Sequence, residues 1–426
     1  MKPKITNHFF EDSKTPRLSD LLNPRHELYI LSELIDWKAF EEAFGMLYSD
    51  ENSRPPKPIR LMVGLLMLQH MFGLSDEKVV KRWIENPYWQ FFCGFDVLQW
   101  KFPIHPSSMT RFRNRIGKEG MEKILSETIK MALDQEVVTI KDLREVIVDT
   151  TVMEKNIAYP TDARLYFRLT KKLVDLAKSH QIILRQSYTF VSKQALIDVN
   201  RYVHAKQMKR AKKKIKQLKT YLRRVFCDLK RKTHGDQSLK EAFEELFGLT
   251  NRLLSQTRES KNKLYSLHAP EVECLSKGKA RKKYEFGCKV SLVLSHKIGL
   301  ALSCQALHGN PYDGHTLKEA LLDAEKLAST KIERVAVDKG YKGHGVTDKK
   351  VYISGQRKGM TASIKRFLKR RSAIEPHIGH LKQEGKMGRN FLKGSIGDRI
   401  NALLCGIGHN LRLIIRHLFP EALFAS

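Results

Sequence analysis

The chain has 426 residues, 42% of them hydrophobic, which is enough for two or three domains with real cores. Lysine and arginine number 77 against 46 acidic residues, a formal net charge of +31 spread along the whole length. That balance points to a polyanionic partner, nucleic acid first, with a charge that only confers solubility as the alternative. The six cysteines show no Cys-x2-Cys spacing and the N-terminus has no signal-like layout, which argues against a zinc finger and against secretion. A reducing cytoplasm is the expected home.

A polar lead is followed by one short helix pattern, LYILSELIDWKAFEEAF, and a proline-rich joint, Arg54 to Pro58. The text from Ile59 to Leu133 is helical. Its first apolar run, Leu61 to Gly73, is shorter than the roughly 20 residues that span a bilayer and carries Gln69 and His70, so it predicts a buried helix. Ser75 is placed to cap VVKRWIENPYWQFF. After His105-Pro106-Ser107-Ser108, the segment SSMTRFRNRIG sets Arg111, Arg113 and Arg115 on one short helix. A recognition helix needs such arginines for phosphates and guanine edges; a solvated basic helix packed by Met109, Phe112 and Ile116 is the competing account.

At Glu145 to Thr150 a β-branched run, EVIVDT, predicts a buried strand. Much later come a hairpin (YEFGCKVSLVL and GLALSCQA), the turn GNPYDG, an amphipathic helix (HTLKEALLDAEKLA), the strand ERVAVD, a further strand (KKVYIS) and a helix around 372 to 384. In the turn, Asp313 and His315 are read as turn and helix-cap residues. The order β, insertion, ββ, α, β, β, α is that of an α/β fold, an RNase H-like mixed sheet with flanking helices, interrupted after its first strand. The interruption is helical and basic. Met208, Ala211, Ile215, Leu218, Leu222, Val225 and Leu229 form a heptad seam in it, with lysines and arginines between them. The expected partner for this seam is the segment LKEAFEELFGLTNRLL or a second chain, and its cationic back is read as a DNA track or a solvated surface. The chain thus divides into a lead (1–55), an all-α N-terminal DNA-binding domain (56–140), a catalytic domain (141–164 and 276–426) and the insertion (165–275).

Asp149 and Asp338 each close an apolar run (VIV, VAV), and Glu375 lies on the last helix of that fold. Carboxylates converging from separate elements suit hard divalent ions, and without metal their like charges would repel. Two such ions can activate an attacking oxygen and neutralise a leaving one in phosphodiester chemistry. Any single strand-ending Asp can also be a turn residue, and Ser372-x-x-Glu375 is also a capping-box pattern, with Pro376 at home in a first turn.

Arg371, Glu375 and Lys382 match the Tyr-x2-Arg-x3-Glu-x6-Lys signature of the DDE transposases of bacterial insertion sequences, with Leu368 where that signature has tyrosine. The segments VIVDTTVMEKNIAYPTDARL, VAVDKGYKG, IEPHIGHLKQEGKMGRNFLKG and DRINALLCGIGHNLRLIIR resemble, in the same order, those of the large group named for insertion sequence five. The resemblance implies that Asp149, Asp338 and Glu375 are catalytic and hold Mg²⁺ or Mn²⁺, as two ions. It further implies that Arg371 and Lys382 grip phosphates of the transposon end, with Lys342 and Arg389 also at the DNA. Tyr341, Lys342 and His344 are expected at the rim, and His377 and His380 either at the DNA or in structural roles. The implied partners are double-stranded DNA, as terminal inverted repeats and target, and a second copy of the chain, in a bacterial cytoplasm at the nucleoid. A DNA-binding regulator or inactive remnant remains the alternative, and a nuclease that only cleaves is a further one.

Overall fold

The computed structural model describes residues 16–48, 57–257, 259–276, 283–356 and 359–420; the start of the lead and the Arg54 to Pro56 part of the joint lie outside them. Two compact units result, one joining Met1–Glu154 to Cys288–Ser426, the other formed by Lys155–Gly287.

In the first unit the early helical pattern is two helices, Glu27–Leu34 and Trp37–Gly45, because the Asp36 side chain accepts the Ala39 N–H (3.1 Å) and starts a new helix. Helix Ile59–Met71 is buried on all sides, as its apolar text demands. Ser75 caps Asp76–Glu85, accepting from the Lys78 N–H at 3.2 Å. The helix Ser107–Asp134 is broken at Gly117, whose φ of 61° and ψ of −157° are not helical, so the arginine segment is a short helix of its own. Helix Gly394–Leu418 packs against Ser107–Asp134, Ile59–Met71 and the sheet.

The sheet is mixed, with β1 (Glu145–Glu154), β3 (Glu285–Ser295), β4 (Ala301–Leu307), β5 (Arg334–Val337) and β6 (Lys350–Ile353). Strand β4 pairs antiparallel with β3, β3 neighbours β1, and β1, β5 and β6 run parallel. Strand β1 continues past the expected Thr150, since Thr150, Thr151 and Val152 are β-branched and buried; Asp149 therefore sits inside its strand instead of ending it. Alternate residues serve different cores. Val146, Val148, Val335 and Val337 join the N-terminal helices and helix Asp313–Ala328, while Ile147 and Ala336 face Phe367, Ile374 and Leu381. The N-terminal helices thus share their core with one face of the sheet.

The second unit holds helices Asp162–Ser179, Thr189–His204, Met208–Lys232 and Gln237–Ser255, plus the short strand β2 (Glu273–Leu275) paired with Glu285–Gly287. The heptad seam is realised: Ala211, Leu218, Leu222, Val225 and Leu229 are buried, with Met208 exposed at the end. Its main partners are Thr189–His204 and Asp162–Ser179 rather than the expected Gln237–Ser255, which adds Phe243 and Leu253 to the same core. Lys209, Arg210, Lys212, Lys213, Lys216, Arg223 and Arg224 are exposed on the opposite face.

Candidate active site

The parallel register sets the site. Ile147 pairs with Ala336; Asp149 lies two residues beyond the first and Asp338 two beyond the second, and the charges of both act on the same buried Tyr341. By strand alternation the Asp149 side chain leaves the sheet on the face covered by Phe367, Ile374 and Leu381, the face that carries the segment with Arg371 and Glu375. Asp149 Oδ1 accepts the Thr150 N–H (2.7 Å), and Oδ2 lies 3.6 Å from Arg371 Nη1. Asp149 and Arg371 are each 19% exposed, so the pair is reachable from solvent. Beyond Val337 the chain turns: Asp338 Oδ1 accepts the Gly340 N–H at 2.8 Å and caps the short 3-10 helix Lys339–Tyr341.

Glu375 is exposed in the first turn of helix Ile374–Gln383. The capping box is not formed. A 3-10 segment, Arg370–Ala373, runs straight into the helix, the residue before it is Ala373 in a helical conformation, and Ser372 Oγ donates to the Lys369 carbonyl (3.0 Å). Its carboxylate is thereby left to face outward. Lys382 is half-buried in the last turn of the same helix; Lys342 and Arg389 are exposed on loops.

A further carboxylate arrives that sequence reasoning assigned elsewhere. Asp313 opens helix Asp313–Ala328 but does not cap it; the cap position is Tyr312, without a side-chain bond. Instead Asp313 Oδ1 receives Lys289 Nζ at 2.9 Å and Thr150 Oγ1 at 3.2 Å. Its Oδ2 and Asp338 Oδ1 flank Gly340, lying 3.3 and 3.0 Å from where a Cβ would stand there. Nothing local in GNPYDGH signals this, because the neighbours come from β1, β3 and the turn after β5.

Tyr341 is fully buried beneath these groups, and its hydroxyl has no hydrogen-bond partner among the described residues. Burial pushes its pKa well above the usual phenol value, and the charges of Asp149, Asp313 and Asp338 push the same way. Among the described residues no group of three His, Cys, Asp or Glu side chains is close enough to hold a metal ion as it stands. Asp149 and Asp338 nonetheless fit a hard divalent cation in kind: carboxylate oxygens, a cradle at Gly340 beside Asp338, and a buried, orphaned hydroxyl on which both charges act.

His377 and His380 both make contacts within the fold. Burial lowers the His377 pKa, its ring fills the space over Gly299 and meets His409 edge-on at 5.3 Å, and His380 is paired with Glu384 at 2.7 Å. His344 Nδ1 accepts the Val346 N–H within its own turn, and His315 lies exposed against Tyr312. Of the three arginines expected on one reading face, Arg111 is exposed and Arg115 is exposed over the Tyr48 ring at 4.3 Å. Arg113 is the exception: 3% exposed, its guanidinium is held by Asp76 at 3.0 and 2.5 Å and cannot reach DNA from there.

Residues 16–115 match a family described as a transposase domain, and residues 257–411 match the transposase DDE domain. The second match contains Asp313, Asp338, Arg371, Glu375 and Lys382, whereas Asp149 lies between the two matches. A protein of Rhizobium meliloti, described as uncharacterized protein ORF8 in the nfe locus, is 47% identical over 207 residues, 49% of this chain and the whole of that relative. No solved structure matches the chain. Among the described residues no helix is long and apolar enough to cross a membrane. With both transposase domains in order on one chain, the protein belongs to the DDE transposases.

Proposed function

We propose that the protein is the transposase of an element in the insertion sequence five group, binding its terminal inverted repeats, cleaving to expose 3′-hydroxyls and joining those ends to target DNA. The observation that supports this is the parallel pairing of β1 with β5, beyond which Asp149 and Asp338 both act on the buried Tyr341, together with the Asp149–Arg371 contact on the face that bears the Arg371 to Lys382 segment. The sheet order, an antiparallel β3–β4 pair beside β1 followed by parallel β5 and β6, supports an RNase H-like catalytic domain, with Lys155–Gly287 as its insertion. Asp149 and Asp338, joined by Glu375, would hold two Mg²⁺ or Mn²⁺ ions, which supply activation of the attacking oxygen and neutralisation of the leaving one. Arg371 and Lys382 hold the scissile strand in register, Arg as a fork and Lys as a point charge. Lys342 and Arg389 extend that grip. Arg111 and Arg115, with the exposed cationic face of helix Met208–Lys232, bind flanking duplex, and two copies act on the two element ends in the bacterial cytoplasm.

A DNA-binding regulator with inert carboxylates is the second reading, and the exposed, unassembled position of Glu375 is what favours it. The deciding experiment incubates the full chain and its Asp149→Asn variant with linear DNA bearing the element's termini and Mg²⁺ or Mn²⁺. Wild type should nick and join; the variant should bind equally and do neither. Metal-dependent nicking by the variant would overturn the assignment, and absence of nicking by wild type on cognate ends would favour the regulator.

A further inference from the structure

We propose that Asp313 is a fourth carboxylate of this centre, set opposite Asp338 across Gly340 to bind the same divalent cation; the inference rests on the transposase reading above. The two oxygens of Asp313 are divided in their use. Oδ1 is anchored, by the Lys289 ammonium at 2.9 Å and the Thr150 hydroxyl at 3.2 Å. Lys289 is itself buried and fixed by the Pro311 carbonyl at 2.6 Å, so Asp313 is held in one orientation. Oδ2 is the atom turned to Gly340, where it faces Asp338 Oδ1 across a space that any larger residue would fill. The buried Tyr341 hydroxyl, lacking a protein partner, lies within electrostatic reach of Asp149, Asp313 and Asp338 and has a donor and lone pairs to offer.

Each of these features has a purpose if a cation with water ligands sits there. The charges of Asp149, Asp313 and Asp338 all act on one buried phenol, with Lys289 beside Asp313 and Arg371 beside Asp149 as counter-charges. A divalent ion held by Asp338 and the Oδ2 of Asp313 would add positive charge to this set, and one of its waters would satisfy Tyr341. Mg²⁺ and Mn²⁺ keep several waters and accept carboxylates at a few positions, which suits a set of oxygens that flank a gap without closing on it.

The test is Mn²⁺ binding to the full chain without DNA, followed by calorimetry and by the electron-spin signal of the free ion. Asp313→Asn keeps the hydrogen bonds from Lys289 and Thr150 and should weaken Mn²⁺ about tenfold, the scale found when groups supporting a metal are lost. Gly340→Ala, which leaves every charge in place, should weaken it as well. Because Asp313→Asn leaves Lys289 without its counter-charge, the double variant Lys289→Met with Asp313→Asn is measured beside it, and each fold is checked by its urea midpoint. Mn²⁺ affinity equal to wild type in the folded Asp313 variants overturns the proposal and makes Asp313 a packing residue. Should Asp338→Asn weaken Mn²⁺ while the Asp313 variants do not, only this inference fails; should Asp149→Asn and Asp338→Asn also bind as wild type, the metal-dependent reading fails with it.

Discussion

Arg113 offers a sharp separation of support from DNA contact. Its guanidinium is 3% exposed and bonds Asp76 through both terminal nitrogens, with Gln69 Oε1 at 3.4 Å and Thr110 Oγ1 at 3.2 Å completing the cage. Removing one member of a buried ion pair costs about 3–5 kcal/mol, and because the Asp76 side chain is 22% exposed and can recover some hydration, about 3 kcal/mol is expected for Arg113→Ala. Arg113→Lys should cost about 1–2 kcal/mol, since a point charge replaces a two-pronged fork. Urea denaturation reads the loss as a lower midpoint. Acid reads its origin. Burial works to raise the Asp76 pKa, but the Arg113 bonds and charge outweigh it, so the folded value lies below the ordinary one. A depressed folded pKa gives stability that is complete above the ordinary carboxylate range and lost as pH falls through the folded value. The gap between wild type and Arg113→Ala should therefore be full at neutral pH and shrink below about pH 4. Under conditions where the variant stays folded its DNA affinity should match wild type, whereas Arg111→Ala and Arg115→Ala should weaken binding and flatten its salt dependence. A midpoint moved by less than about 0.5 kcal/mol together with a several-fold loss of DNA binding would refute the reasoning.

Gly299→Ala should destabilise the first unit by about 3 kcal/mol: φ is +82°, a left-handed value strained for alanine, and the new methyl would stand 2.1 Å from His377 Nε2. The pair Gly299→Ala with His377→Ala should regain part of that loss, and an unchanged urea midpoint in the single variant would exclude the clash. Thiol labelling of the native protein should modify exposed Cys227 first and half-buried Cys274 later, leaving Cys93, Cys288, Cys304 and Cys405 for the unfolded chain. Burial pushes the Cys93 and Cys405 thiols up to about 12, so neither supplies thiolate at neutral pH, and rapid native labelling of either would contradict the core.

Much of this was legible because strand text is local. VIVD and VAVD each name a buried strand and the acid that follows, and the two strands pair in parallel, with both acids acting on Tyr341. The extent of β1 was not, since Thr150 and Thr151 read equally as a turn until neighbouring strands give their backbone partners. Arg113 could have been placed: it falls four residues after Met109 and three before Ile116, on the stripe that buries Met109, Phe112 and Ile116. The capping box failed for the converse reason, a correct local pattern overruled by a 3-10 turn that continues into the helix. Asp313 lay beyond reach altogether, because its role is written in residues 150, 289 and 340, which only the folded sheet brings to it.

The helix Gly394–Leu418, wedged against Ile59–Met71, Ser107–Asp134 and β4, fixes when the protein can be finished as it leaves the ribosome. Strand β1 emerges early and waits for Arg334–Val337 to supply its parallel neighbour, and the apolar helix Ile59–Met71 waits longer still for its cover. Lys155–Gly287 is contiguous and can collapse in the meantime. A chain cut short before Gly394 leaves one face of that early helix without its cover, an exposed apolar surface of the kind that invites aggregation or proteolysis.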